Sequence, residues 1–173
     1  MGKINLVLYE PEIPQNTANI MRTCLATGSS LHLIEPIGFD LDSKHLKRAS
    51  ANHLQFFDDY TVYQDFLEFL EKNRGRMVFL TRYGLKNFYD IDFREVEEDI
   101  YLILGKESTG IDHGILRAHI EDCYRLPMSS QVRSLNLSNA AAIVVYEVLR
   151  QKGFPGLSFY EPENFKGKDF LLK

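Results

Sequence analysis

The chain has 173 residues, of which 45% are hydrophobic, 12% aromatic and 25% charged. Those values fit a globular domain with a sizeable core and exclude a disordered or collagenous chain. Twenty Lys+Arg against 24 Asp+Glu give a formal net charge of -4, so no global positive field advertises nucleic acid or an anionic membrane, and an anionic partner must meet a local basic patch.

In chain order, Ile4 to Tyr9 is a short apolar run of strand formers, stopped by Pro11 and Pro14. From Asn16, the apolar residues Ile20, Met21, Cys24 and Leu25 recur at helical spacing, and Gly28 stands where a helix ends. Leu31 to Ile34 reads as a strand, Ser43 to Asn52 as a polar, basic helix, and Val62 to Asn73 as an amphipathic helix. Met77 to Thr81 and Ile100 to Leu104 are buried strands. Asp112 to Ala118 is a short helix, and Cys123 to Leu126 a strand closed by Pro127. Asn136 to Lys152 is a strong helix with Leu137, Ala141, Val144, Val145, Val148 and Leu149 on its apolar face, ended by Gly153 and Pro155. The tail from Gly156 is loop-like, with Phe159, Tyr160, Phe165 and Phe170 available to dock it. This alternation predicts an α/β fold over residues 1–173 as one domain, with a mostly parallel sheet and helices on both faces. No apolar run approaches the ~18 residues of a spanning helix. Met1 to Glu10 lacks the order of a secretory signal. Cys24 and Cys123 are the only cysteines, and the five histidines have no ligand spacing. The reading is a cytoplasmic chain without membrane, metal or disulfide framework.

Ligands of parallel α/β sheets bind outside the carboxyl ends of the strands, which directs attention to three segments. Gly105, Lys106, Glu107, Ser108, Thr109, Gly110 brackets an acid and two hydroxyls with glycines. Pro127 to Asn139 is a long polar loop feeding the most apolar helix, in which Asn136 and Ser138 suit helix capping while Arg133 and Ser134 do not. Pro14 to Arg22 opens a helix with Asn16, Asn19 and Arg22 on roughly one polar stripe. No dinucleotide turn, phosphate loop, nucleophile elbow or zinc-peptidase motif is present.

Taken together, Leu8 to Arg22, Leu104 to Gly110, and Leu126 to Ala140 with Val144 to Glu147 resemble the three motifs of the SPOUT RNA methyltransferases over nearly the whole chain. The chain looks like the small tRNA 2'-O-methyltransferases acting on the wobble cytidine or uridine of leucine tRNA. The resemblance implies a C-terminal trefoil knot, a homodimer whose site both subunits complete, and S-adenosylmethionine as cofactor. By motif position Leu80, Gly105, Leu126 and Ser134 contact the cofactor, with Thr81, Glu107, Gly110, Met128, Leu135 and Asn136 lining its pocket. Arg22 is the implied catalytic residue. Arginine has no acceptor nitrogen and stays protonated, so its role is read as electrostatic. Asn16, Arg22, Arg133 and Tyr146 are expected at the RNA acceptor, and Lys44, Lys47 and Arg48 form the best local basic patch. Tyr9, Tyr83 and Phe88 are the aromatic candidates for stacking on an unpaired base. Tyr83 stands where relatives commonly carry lysine, and Thr109 where they carry arginine. Methylation of another tRNA or rRNA ribose, or RNA binding without turnover, stays open on sequence alone.

Overall fold

The computed structural model describes residues 2–41 and 59–172. Among them run seven strands: β1 (Ile4–Tyr9), β2 (Ser30–Ile34), β3 (Tyr60–Tyr63), β4 (Arg76–Leu80), β5 (Lys86–Asn87), β6 (Ile100–Leu104) and β7 (Cys123–Arg125). They form one sheet in the order β3-β2-β1-β6-β4-β7-β5, and every strand pairing is parallel. The helices are α1 (Pro14–Thr27), α2 (Phe66–Lys72), α3 (His113–Ala118) and α4 (Leu137–Gln151).

Side chains alternate across a strand, and β1 shows the consequence. Ile4, Leu6 and Leu8 enter a core layer with Ala18, Ile20 and Met21 of α1 and Val144, Val145 and Val148 of α4. Val7 and Tyr9 enter the opposite layer with Phe66 and Phe69 of α2 and Leu116 of α3. The sheet is thus covered on both faces, which is why β1, β2 and β6 are buried at every position and read as mostly apolar runs, interrupted only by the buried polar residues Asn5, Ser30 and His32. Each fully buried Leu, Ile or Phe in these layers contributes on the order of 1.5–3 kcal/mol. No helix of the described residues is long and apolar enough to cross a membrane.

The expected α/β order holds, with three corrections. The helix expected over Val62 to Asn73 starts later: Tyr60–Tyr63 is an edge strand, and Asp65 caps α2 by accepting from the Glu68 amide at 2.8 Å. Its β-branched and aromatic residues favour the pleated strand that pairs with β2. The two-residue β5 has too little sequence to show a period. The tail is not buried through the four aromatics expected: Phe159, Tyr160 and Phe165 are each more than 70% exposed and Phe170 is half-exposed, with Phe159 meeting Phe154 edge-on. Phe154 and Leu157 pack against the core instead. The expected helix Ser43 to Asn52 lies outside the described residues.

Candidate active site

The loop after β6 folds back on itself, the Gly110 amide donating to the Lys106 carbonyl at 2.9 Å. A Cβ on Gly105 would sit 2.3 Å from the Ile111 nitrogen and 2.5 Å from the Gly110 carbonyl carbon, so the loop closes only over a residue without a side chain. This closure aims Glu107 away from solvent and toward the start of α1. Its carboxylate accepts from the Glu12 amide at 2.9 Å, the Ile13 amide at 3.2 Å and Asn16 Nδ2 at 3.0 Å. The first two donors precede α1, whose N-cap position Ile13 has no side-chain acceptor of its own. Glu107 therefore supplies from another loop the negative partner a helix start lacks.

Two further contacts clamp the same loops. Glu12 accepts from the Ser108 amide at 2.9 Å and hydroxyl at 2.8 Å, which hold its carboxyl below the usual range. Lys106 Nζ meets Glu10 at 2.5 Å in a half-buried ion pair, and that hydrogen bond raises the lysine's affinity for its proton. The chain of contacts then continues into the third segment. Asn16 Oδ1 accepts from Asn136 Nδ2 at 3.1 Å. Asn136 Oδ1 caps α4 by accepting from the Ser138 amide at 2.9 Å, the Asn139 amide at 3.3 Å and the Ser138 hydroxyl at 2.7 Å. Glu107, Asn16 and Asn136 thus lock together three segments that lie 91 and 120 residues apart.

Around this lock opens a cavity of about 460 Å³ at the carboxyl ends of β4, β6 and β7, a size in the range that holds small molecules. All ten residues expected at the cofactor line it. Leu80 and Thr81 come from the end of β4, Gly105, Glu107 and Gly110 from the β6 loop, Leu126 and Met128 from beyond β7, and Ser134, Leu135 and Asn136 from the loop before α4. Asn16 and Arg133 line it too. Its walls pair aliphatic and thioether surface with backbone and amide groups, suited to a ligand that is part aromatic and part zwitterionic.

The remaining expected residues fall elsewhere. Arg22 and Tyr146 are exposed and do not line the cavity. The stripe expected of Asn16, Asn19 and Arg22 breaks up: Asn16 is 5% exposed, whereas Asn19 and Arg22 face solvent. Six residues at about 100° each turn Arg22 roughly 120° away from Asn16, which takes it off that face. Lys44, Lys47 and Arg48 lie outside the described residues. Tyr83, a stacking candidate on sequence, lines the cavity beside Arg82, both directly following a strand end. Sequence reasoning missed Ile111 and Leu116 among the cavity's lining, apolar residues whose sequence carries no signal beyond the core.

Comparison with known proteins meets this geometry. The profile described as the SpoU rRNA Methylase family matches residues 3–146. The tRNA (cytidine(34)-2'-O)-methyltransferase of Escherichia coli K12 is 44% identical over 155 residues, covering 88% of this chain and 96% of that protein. A solved structure described under the 2-OH methylation of C/U34 on tRNA superposes with a TM-score of 0.79 at 39% identity, covering 87% of this chain and 96% of the other. The methyltransferase AviRb of Streptomyces viridochromogenes, crystallised with AdoMet, shares the fold at a TM-score of 0.74 and 22% identity, over 87% of this chain and 60% of its own.

Proposed function

The chain belongs to the SpoU rRNA methylase family, and on that premise we propose that it methylates the ribose 2'-hydroxyl of the wobble nucleotide, cytidine or modified uridine, in tRNA. S-adenosylmethionine is the methyl donor. The observation that carries the reading is the lock Glu107–Asn16–Asn136, which draws the three motif segments around one small-molecule cavity. The E. coli relative named for this activity supports the choice of substrate.

The cavity's chemistry fits the donor. Leu80, Leu126 and Met128 would bear on its purine, while the backbone over Gly105 and the polar groups of Ser134 and Asn136 would hold its ribose and amino acid end. When bound, it would supply an electrophilic methyl group on sulfur: the S–CH3 bond would break as the O–CH3 bond formed, the neutral thioether would be the leaving group, and the hydroxyl proton would pass to solvent water. The chain's own contribution is alignment, which in well-oriented reactions is worth about 7–11 kcal/mol. The lock provides it by fixing the loops before chemistry begins.

Glu107 spends its carboxylate on two amides and Asn16, so it serves as a positioning residue. A guanidinium offers donors and no acceptor nitrogen, so Arg22 does not take the hydroxyl proton. Its part is to hold the target phosphate and stabilise charge developing on the 2'-oxygen, with Arg133, Ser134 and Tyr146 completing the acceptor side. Arg22 does not reach the cavity of its own chain, and the reading therefore includes a homodimer in which Arg22 of the partner subunit faces it. Exposed Leu25 on α1 and exposed Ile143 and Tyr146 on α4 support that contact, since α1 and α4 pack side by side and would present these apolar groups together. The basic run Lys44, Lys47 and Arg48 adds positive charge for phosphate contacts, and a tRNA substrate implies a cytoplasmic site of action. The trefoil knot belongs to the same reading. It is supported by α4 returning to pack on α1 although β7, just before it, pairs between β4 and β5.

The test is transfer of labelled methyl from S-adenosylmethionine to tRNA lacking this modification, followed by nuclease digestion and mass spectrometry. Label on the 2'-oxygen of nucleotide 34 of leucine isoacceptors is expected. Label at another ribose, or none, overturns the substrate assignment.

A further inference from the structure

Of the three aromatics that the sequence offers for stacking, Tyr9 is 8% exposed and Phe88 fully buried, whereas Tyr83 is 47% exposed and lines the cavity. Its backbone is fixed. The turn after β4 closes with the Gly84 amide donating to the Thr81 carbonyl at 3.2 Å, and the Tyr83 amide donates to the Thr81 hydroxyl at 3.2 Å. Arg125 Nη1 donates to the Arg82 carbonyl at 2.5 Å. A Cβ on Gly84 would lie 2.4 Å from the Tyr124 carbonyl carbon, so the turn is pressed onto β7. Side-chain neighbours fix the ring as well. The Arg82 guanidinium lies 4.7 Å over its centroid and donates to its hydroxyl at 2.5 Å, and the His113 ring meets it at 87° with centroids 5.3 Å apart.

A half-exposed aromatic ring on a rigid turn at a cavity mouth, with a cation on its face, has the make-up of a stacking platform for a heteroaromatic base. Two such bases are in play if the chain is an RNA methyltransferase: one in the RNA and the adenine of the methyl donor. Leu80, Leu126 and Met128 already give the cavity apolar walls, whereas Tyr83 has nearly half its surface in solvent. We infer that Tyr83, steadied by Arg82 and His113, stacks on an unpaired base of the RNA acceptor and so sets RNA affinity. This rests on the RNA methyltransferase reading given above.

Binding of a fluorescently labelled anticodon stem-loop RNA, measured by anisotropy on the full chain, tests it alongside calorimetric binding of S-adenosylmethionine and methyl transfer to tRNA. Tyr83→Ala should weaken RNA binding about 5- to 100-fold and leave cofactor affinity unchanged. Tyr83→Phe should bind RNA within about twofold of the parent, because stacking needs the ring and not the hydroxyl. Tyr89→Ala removes a tyrosine of equal exposure, 47%, that does not line the cavity, and should change nothing. Unchanged RNA binding in Tyr83→Ala, a comparable loss in Tyr89→Ala, or a loss of cofactor affinity in Tyr83→Ala overturns the inference. If the parent protein binds no RNA, both this inference and the function reading fall. If RNA binding depends on Tyr83 while no methyl is transferred, the function reading alone falls.

Discussion

At the scale of single residues, the site depends on atoms that are absent as much as on those present. Gly105 is the clearest case, since any Cβ there would collide with backbone at 2.3 Å rather than with a side chain that could swing aside. Gly105→Ala should therefore push the 105–111 loop outward, tilt Glu107 off the amides of Glu12 and Ile13, and lower affinity for S-adenosylmethionine at least tenfold by calorimetry. The core, which lies behind the loop, should be spared, and the melting temperature should fall by only a few degrees. An affinity within twofold of the parent would contradict the assignment of this cavity. How far residues were legible from sequence follows from how local their physics is. Asn136 reads as a cap because capping joins residues two and three apart. Glu107 reads as an acid in a glycine-rich turn, but its three partners lie 91 to 95 residues away, and only the fold brings them within reach. Arg22 misleads, because its spacing from Asn16 resembles one stripe while the helix rotates it to another face.

At the scale of elements, the strands buried on both faces were legible as apolar runs, and α4 as a periodic helix. The edge strands β3 and β5 were not, because a short, half-exposed strand draws its stability from its neighbour rather than from its own pattern. One device built by such pairing lies away from the cavity. His32 on β2 has its ring against Asn5 Oδ1 at 3.1 Å and Tyr63 Oη at 2.8 Å, and Asn73 Nδ2 donates to the same hydroxyl at 3.1 Å. The neutral ring satisfies the set by donating to Asn5 and accepting from Tyr63. A protonated ring has no acceptor, and burial disfavours the charge, so the pKa falls from 6.5 to about 4, with Lys3 lowering it further and Asp59 and Asp99 opposing. The sign follows directly. Above pH 6.5 the residue is neutral in both the folded and unfolded chain and stability is full. Between pH 6.5 and 4 only the unfolded chain takes up the proton, and stability drops as pH falls. Unfolding by urea should lose about 2 kcal/mol between pH 7 and pH 5 from this residue. In His32→Gln that slope should flatten even though the variant is less stable at pH 7. Equal slopes in the two proteins would assign the acid sensitivity to other groups.

At the scale of the whole molecule, the sheet order decides where chemistry can sit. Because β6 lies between β1 and β4, the loop after it lines the cavity together with the start of α1 and the turn after β4, and its Glu107 carboxylate ties it to the first of these. The same arrangement turns Arg22 and Tyr146 outward on the α1 and α4 surface, and neither is among the described residues that line the cavity. A site shared across a two-fold axis predicts complementation between two defective proteins. In the proposed dimer, Arg22→Ala leaves every cavity without its arginine and Gly105→Ala leaves every cavity with weakened cofactor affinity, so with S-adenosylmethionine held well below the dissociation constant of Gly105→Ala both variants should be nearly inactive in methyl transfer. Mixed and allowed to exchange, half of the dimers become mixed, and each mixed dimer has one intact cavity facing one intact Arg22. Activity should then recover to about one quarter of the parent level. If Arg22 instead served the cavity of its own chain, every site in the mixed dimer would still carry one defect, and mixing would restore nothing. A pair of single-chain sites and a pair of shared sites have identical composition and identical cavities, so only this recovery, followed over the time of subunit exchange, separates them.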